Sequence, residues 1–165
     1  MTGNTVVGMT RWLSDDEQRA WRAYLAANRM LMVQLEKGHQ QQGLSGSDYE
    51  VLVNLSEAPQ RRLRMWELAR DTLLEKSRLS HQITRMERAG LVRRESCPGD
   101  RRGQFAVLTD HGWETIKRAA PHHVEQVRAF FIDRLDEEQI KVLTEVFAPM
   151  AEDLRQQCPR EDGEP

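Results

Sequence analysis

At Gly90 the spacing of apolar residues changes, and this limits the folds open to the 165-residue chain more than any other feature. Before Gly90, Leu79, Ile83 and Met86 recur at three- and four-residue steps, the period of a helix with one buried stripe. After it, Leu91, Val92 and the alternating run "QFAVLT" follow the two-residue period of strands. Between those runs stands Pro98-Gly99-Asp100-Arg101-Arg102-Gly103, which reads as a turn-rich loop. A helix that stops on glycine and leads at once into a hairpin with a charged tip is the local expectation.

The flanking segments are helical. Ser14 and Glu17 have capping-box spacing, and Trp21, Tyr24, Leu25, Met32 and Leu35 mark a long helix that stops near Gly43. Its middle, "RMLMVQL", is apolar nearly all round and needs partners on more than one side. Ser45 to Asp48 repeats the cap before a second helix that ends at Ala58-Pro59. Leu63 is a short extended candidate, and Met65 to about Leu73 forms a short third helix. The fourth, containing Leu79, begins near Glu75 to Ser77. Thr109 or Asp110 caps a fifth, which Pro121 is expected to bend, and Asp136 opens a sixth, which Pro149 is expected to kink or end. The fold class expected is mainly α with a small β-hairpin wing, a winged helix-turn-helix in which the strand pair lies between the fourth and fifth of six helices.

Charge is concentrated on this hairpin and the helices before it. From Gln60 to Arg102 twelve Lys/Arg stand against six acids, a balance of +6 in a chain whose total is -2, so the rest carries -8. A basic segment in an acidic frame suits a polyanion such as duplex DNA. On a wheel, with Leu79, Ile83 and Met86 inward, Ser77, Ser80, His81, Thr84, Arg85 and Arg88 fall on or near the opposite side. Hydrogen-bonding side chains without a large apolar residue suit a major groove. Lys76, Ser77, Arg78 and His81, at the positive N-terminal end, are expected nearest the bases or phosphates. Arg85 suits a guanine edge or a phosphate, and Arg64, Arg88 and Arg94 are further phosphate candidates. Ser80, His81 and Gln82 also have a plainer reading as a solvated helix face. Arg101 and Arg102 suit a narrow minor groove, with Asp100 holding an arginine in place or simply forming the turn.

The stretch "LLEKSRLSHQITRMERAGLVRRESCPGDRRGQFAVLTDHG" resembles the MarR-type (multiple antibiotic resistance regulator) transcription factors. Within it "SRLSHQITRMERAGLV" looks like their recognition helix and exit turn, Asp100-Arg101-Arg102 like their D-x-R wing, and "VLTDHG" like their return strand and next helix cap. The resemblance implies a homodimer that binds a pseudo-palindromic operator, with Arg102 in the minor groove and Asp100 as its partner acid. Residues 1–42 would form an N-terminal dimerisation helix, 43–109 the DNA-binding lobe, and 110–157 two C-terminal dimerisation helices. A disordered tail over 158–165 follows. The resemblance also implies a small lipophilic or phenolic ligand that alters the spacing of the reading heads and releases a repressor. Trp21, Tyr24, Trp66 and Trp113 are candidates for its pocket wall, though aromatics at helical spacing also serve as core.

Other functions find less support. His111, His122 and His123 share a helix with Glu114 and Glu125, yet no H-E-x-x-H spacing or Gly-rich phosphate loop occurs, so no catalytic residue, metal or cofactor is expected. A winged helix used for protein contact alone would be expected to lose its outward arginines, and this chain keeps them. Cys97 and Cys158 form no C-x-x-C pair; Cys97 is read as packed in a strand, with arginine neighbours that would favour a thiolate if it sensed oxidants. The absence of a long apolar run and of a signal-like start makes the expected location cytoplasmic.

Overall fold

The computed structural model describes residues 10–97 and 99–157, and only the backbone of Arg101 and Arg102. The first nine residues, the tail over 158–165 with Cys158, and Pro98 lie outside the described residues.

Helices open where the sequence supplies caps. Ser14 Oγ accepts from the Glu17 N–H at 3.3 Å, the Glu17 carboxylate accepts from the Ser14 N–H at 2.7 Å, and helix α1 spans Asp15–Gln41. Ser45 and Asp48 form the same reciprocal cap on α2, Gly46–Glu57. Gly43, at φ 74°, turns the chain between them in a conformation that glycine adopts without strain. A 3-10 turn at Pro59–Arg61 leads to strand β1, Arg62–Arg64, and then to α3, Met65–Thr72. Helix α4, Lys76–Arg88, stops before Gly90, at φ 72°.

Strands β2 (Val92–Cys97) and β3 (Asp100–Leu108) form the hairpin, and β1 pairs with the other edge of β3, giving an antiparallel sheet in the order β1-β3-β2. Leu63 faces Ala106 across the ladder, so the short extended segment is a third strand beside the expected pair. The tip is also shorter than the sequence suggests. Cys97 is already opposite Asp100 while Ser96 is opposite Gln104, and this register slip takes residues 101–103 out of regular pairing without ending the strand.

Thr109 caps α5, Asp110–Phe130, by accepting from the Gly112 N–H at 3.0 Å. After a 3-10 turn at Ile132–Arg134, α6 spans Glu137–Gln157. Pro121 and Pro149 both lie inside these helices, and α6 continues past Pro149 although proline withholds one helical hydrogen bond.

The core lies in the middle of the chain. Val51, Leu52 and Leu55 of α2 meet Leu68 of α3, Leu79, Ile83 and Met86 of α4, and Ala106 and Leu108 of β3, with Ile116 and Ala119 of α5 closing one side. By contrast α6 buries no residue, and α1 buries only Leu35, Gly38 and His39 near its end. Their apolar side chains, among them Trp21, Tyr24, Met32, Val33, Val142, Val146, Met150 and Leu154, remain exposed. Among the described residues no helix is long and apolar enough to cross a membrane.

Candidate nucleic-acid interface

The buried stripe of α4 consists of Leu79, Gln82, Ile83 and Met86, so the rest of the helix surface is available to a partner. Lys76, Ser77, Arg78, Ser80, His81, Arg85 and Arg88 are exposed and Thr84 is half-buried. Among the described residues Ser77, Arg78, His81 and Arg88 make no side-chain hydrogen bond or ion pair, which leaves their donors open. Arg78 and His81 border an open depression of about 360 Å³ that Ser47, Leu74, Gln82 and Arg85 complete.

Gln82 departs from the solvated-face reading. It is buried, and its Nε2 donates to Asp48 Oδ1 at 3.3 Å. The same oxygen accepts from Arg85 Nη2 at 2.6 Å. Asp48, itself buried, thus caps α2 with one carboxylate oxygen and ties two consecutive turns of α4 with the other. The signal was present: 79, 82, 83 and 86 follow the i, i+3, i+4, i+7 spacing of a buried helical face.

Arg94 lies between the wing and the helix. Its side chain is only 20 % exposed, and Nη2 donates to the Ser80 carbonyl at 2.8 Å, to Ser80 Oγ at 3.3 Å and to Thr84 Oγ1 at 3.2 Å. Its Nη1 pairs with Glu87, whose other oxygen accepts from the Arg94 backbone N–H at 2.8 Å. This cluster fixes β2 against α4 and occupies hydroxyls of Ser80 and Thr84. Arg64 donates to Asp100 Oδ2 at 3.2 Å, with its guanidinium 5.5 Å from the Phe105 ring centre, while Asp100 Oδ1 accepts from the Gly103 N–H at 3.0 Å. Asp100 therefore braces the wing tip against β1. The side chains of Arg101 and Arg102 lie outside the described residues; their backbone belongs to β3. Cys97 is buried at the end of β2.

The four aromatic pocket candidates do not share one place. Trp21 stacks on Tyr24 at 6.0 Å between ring centres, and Tyr24 stacks on Phe147 of α6 at 5.6 Å. Trp66 faces Arg70, and Trp113 is covered by Arg61 at 3.8 Å. A separate aromatic cluster escaped the sequence reading: His39 of α1 stacks on Tyr49 of α2 at 4.4 Å and His123 of α5 contacts both rings. Burial lowers the pKa of both histidines, and for His39 the neighbouring His123 adds to that effect. Among the described residues no group of three His, Cys, Asp or Glu is arranged to hold a metal ion.

A chain with this helix, wing and brace has known counterparts. The sequence profile of the MarR family matches residues 42–103. The HTH-type transcriptional regulator PecS of Dickeya dadantii (strain 3937) is 30% identical over 107 residues, which span 64% of this chain and 64% of that protein. Among solved structures, AbsC of Streptomyces coelicolor, a MarR family transcriptional regulator, is 58% identical with a TM-score of 0.86, over 89% of this chain and 99% of that one. Sco3205, of the same family and organism, was solved in complex with DNA; it is 47% identical, with a TM-score of 0.86 over 89% of this chain and 92% of that one.

Proposed function

Because the chain belongs to the MarR family of transcriptional regulators, we propose that it works as a dimeric repressor on a pseudo-palindromic operator. In this reading α4 enters the major groove and the β2–β3 wing enters the adjacent minor groove. The observation that carries it is the outward face of α4, where Ser77, Arg78, His81 and Arg88 keep open hydrogen-bonding groups beside a braced hairpin. The DNA bound by the 47% identical Sco3205 supports the choice of partner.

Residues 43–109 form the reading lobe, and the segments 1–42 and 110–157 supply the contact between copies. The exposed apolar side chains of α1 and α6 support that division. Two-fold symmetry then sets two α4 helices about 34 Å apart, one turn of duplex. A small lipophilic or phenolic effector that shifts this spacing completes the reading, and the Trp21–Tyr24–Phe147 stack is the aromatic surface such a ring would meet.

The test is a band-shift titration with duplexes that the wild-type protein selects from a random pool. Arg102→Ala is expected to weaken binding by more than Arg155→Ala, an exposed control on α6 that pairs with Glu152. Equal affinities for the two variants would remove the wing from the reading. With six to ten phosphates neutralised, wild-type affinity is expected to fall by about 10³ to 10⁵ between 50 and 200 mM salt.

A further inference from the structure

We infer that Asp48, which lies on α2 and not on the reading helix, determines how sharply the protein discriminates its operator from other DNA, by holding Arg85 at a fixed angle on the DNA-facing side of α4. The inference rests on the proposed reading of α4 as the groove-entering helix.

Three observations carry it. Arg85 donates to Asp48 Oδ1 at 2.6 Å, yet its side chain remains 58% exposed, so one nitrogen is anchored and the rest of the guanidinium faces outward. Asp48 is a buried anchor: its side chain is 11% exposed, and its second oxygen accepts from the Ser45 N–H in the cap of α2. Gln82, one turn before Arg85, donates to the same oxygen and is buried, which fixes the rotation of α4 about its axis relative to α2.

The consequence follows from the chemistry of guanidinium. A free arginine samples many rotamers and meets phosphates anywhere along a duplex, which adds affinity without sequence information. A planar fork held at one end presents its remaining N–H groups in one orientation, the requirement for bidentate pairing with a guanine edge. The carboxylate also offsets part of the charge of Arg85, which weakens its attraction to phosphates at wrong sites. Both effects act on the difference between correct and incorrect DNA, and that difference is specificity. Asp48 contacts no base in this scheme and is a positioning residue.

Asp48→Asn keeps the size and an acceptor for the α2 cap but removes the charge that holds Arg85. Binding is measured to a duplex selected by the wild-type protein and to a scrambled duplex of equal length at matched salt. The variant is expected to bind the selected duplex about tenfold more weakly while binding the scrambled one as well as or better than wild type. Arg85→Gln alone is expected to lose the same discrimination, and the double variant to lose no more than either single one. A lowered α2 cap strength alone would weaken both duplexes together, and that result overturns the inference, as does an unchanged ratio in Asp48→Asn. If Asp48→Asn does not fold, Arg85→Lys decides: the charge is kept and the fork lost, so wild-type discrimination in Arg85→Lys overturns the inference. A wild-type protein that itself shows no preference for any duplex refutes the operator reading instead.

Discussion

Nε2 of His39 and Nδ1 of His123 lie 3.1 Å apart, in a stack that joins the end of α1 to the middle of α5 over the ring of Tyr49. One nitrogen of that contact donates and the other accepts, so it requires an unprotonated acceptor nitrogen. Burial holds both pKa values below the ordinary histidine value near 6.5, and His122 and His123 push His39 in the same direction while Glu36 opposes them. A histidine whose folded pKa is depressed binds fewer protons folded than unfolded as pH falls below about 6.5, so stability is full above that value and declines with acidification. Chemical unfolding between pH 7.5 and 5 is expected to give a falling midpoint, and His123→Asn a flatter profile. Parallel profiles for the two proteins would remove this pair from the acid response.

Gly112 offers a sharper test of how the lobe is joined to α5. A Cβ at that position would lie 2.1 Å from the Leu91 carbonyl oxygen, which already accepts from the Thr109 N–H at 3.1 Å and cannot withdraw without opening the cap of α5. Gly112→Ala is therefore expected to destabilise the protein by about 2–3 kcal/mol, although alanine is the better helix former. Thermal unfolding is the measurement, with a drop of about 5–10 °C expected. A variant as stable as wild type would mean that the α5 start does not bear on the turn after α4.

Much of this architecture was legible because it is local. The caps at Ser14, Ser45 and Thr109, the stop at Gly90 and the switch to strand period each depend on a few adjacent residues, and the structure has them where the spacing suggests. The third strand was legible only as an extended Leu63, because its pairing with Ala106 spans 43 positions and no local pattern encodes it. The α3 stop near Leu73 was legible from the end of the apolar pattern, although Leu73 caps the helix at φ 53°, where glycine or asparagine would normally announce the turn. On α4, the wheel separated the buried from the exposed side except at Gln82, whose polarity masked a buried position. Burial of a polar side chain depends on a partner, and Asp48 is 34 residues away. The same limit applies to the histidine stack, which draws its rings from three helices.

Arg94 and Arg88 differ in what engages their guanidinium groups. The donors of Arg94 go to Glu87, Ser80 and Thr84, whereas Arg88, at the end of α4, is exposed with no side-chain partner among the described residues. Arg88→Ala is expected to reduce the slope of log affinity against log salt by about 1. Arg94→Ala is expected to leave that slope in place while lowering folding stability by about 1–3 kcal/mol, since it strands a partly buried carboxylate and frees β2 from α4. A slope lowered by about 1 in Arg94→Ala as well would mean that Arg94 reaches a phosphate.

The exposed apolar face of α6 allows the proposed contact between copies to be tested. Val146 and Met150 lie four residues apart, so they share a face of the helix, and both are about half exposed in the single chain. Charge placed there is harmless to a lone chain, since these side chains are not part of the core, but it is costly in an interface that must exclude water. Val146→Glu combined with Met150→Glu is expected to leave helix content unchanged and to shift sedimentation toward the 19.2 kDa chain mass. Binding to a two-half-site duplex is then expected to fall by at least about a hundredfold, because one reading head loses the contacts of the second. A double variant that still sediments as a dimer would place the contact between copies elsewhere. Monomers that keep wild-type affinity would show that a single α4 and wing suffice, and the need for two-fold symmetry would disappear from the proposed mechanism.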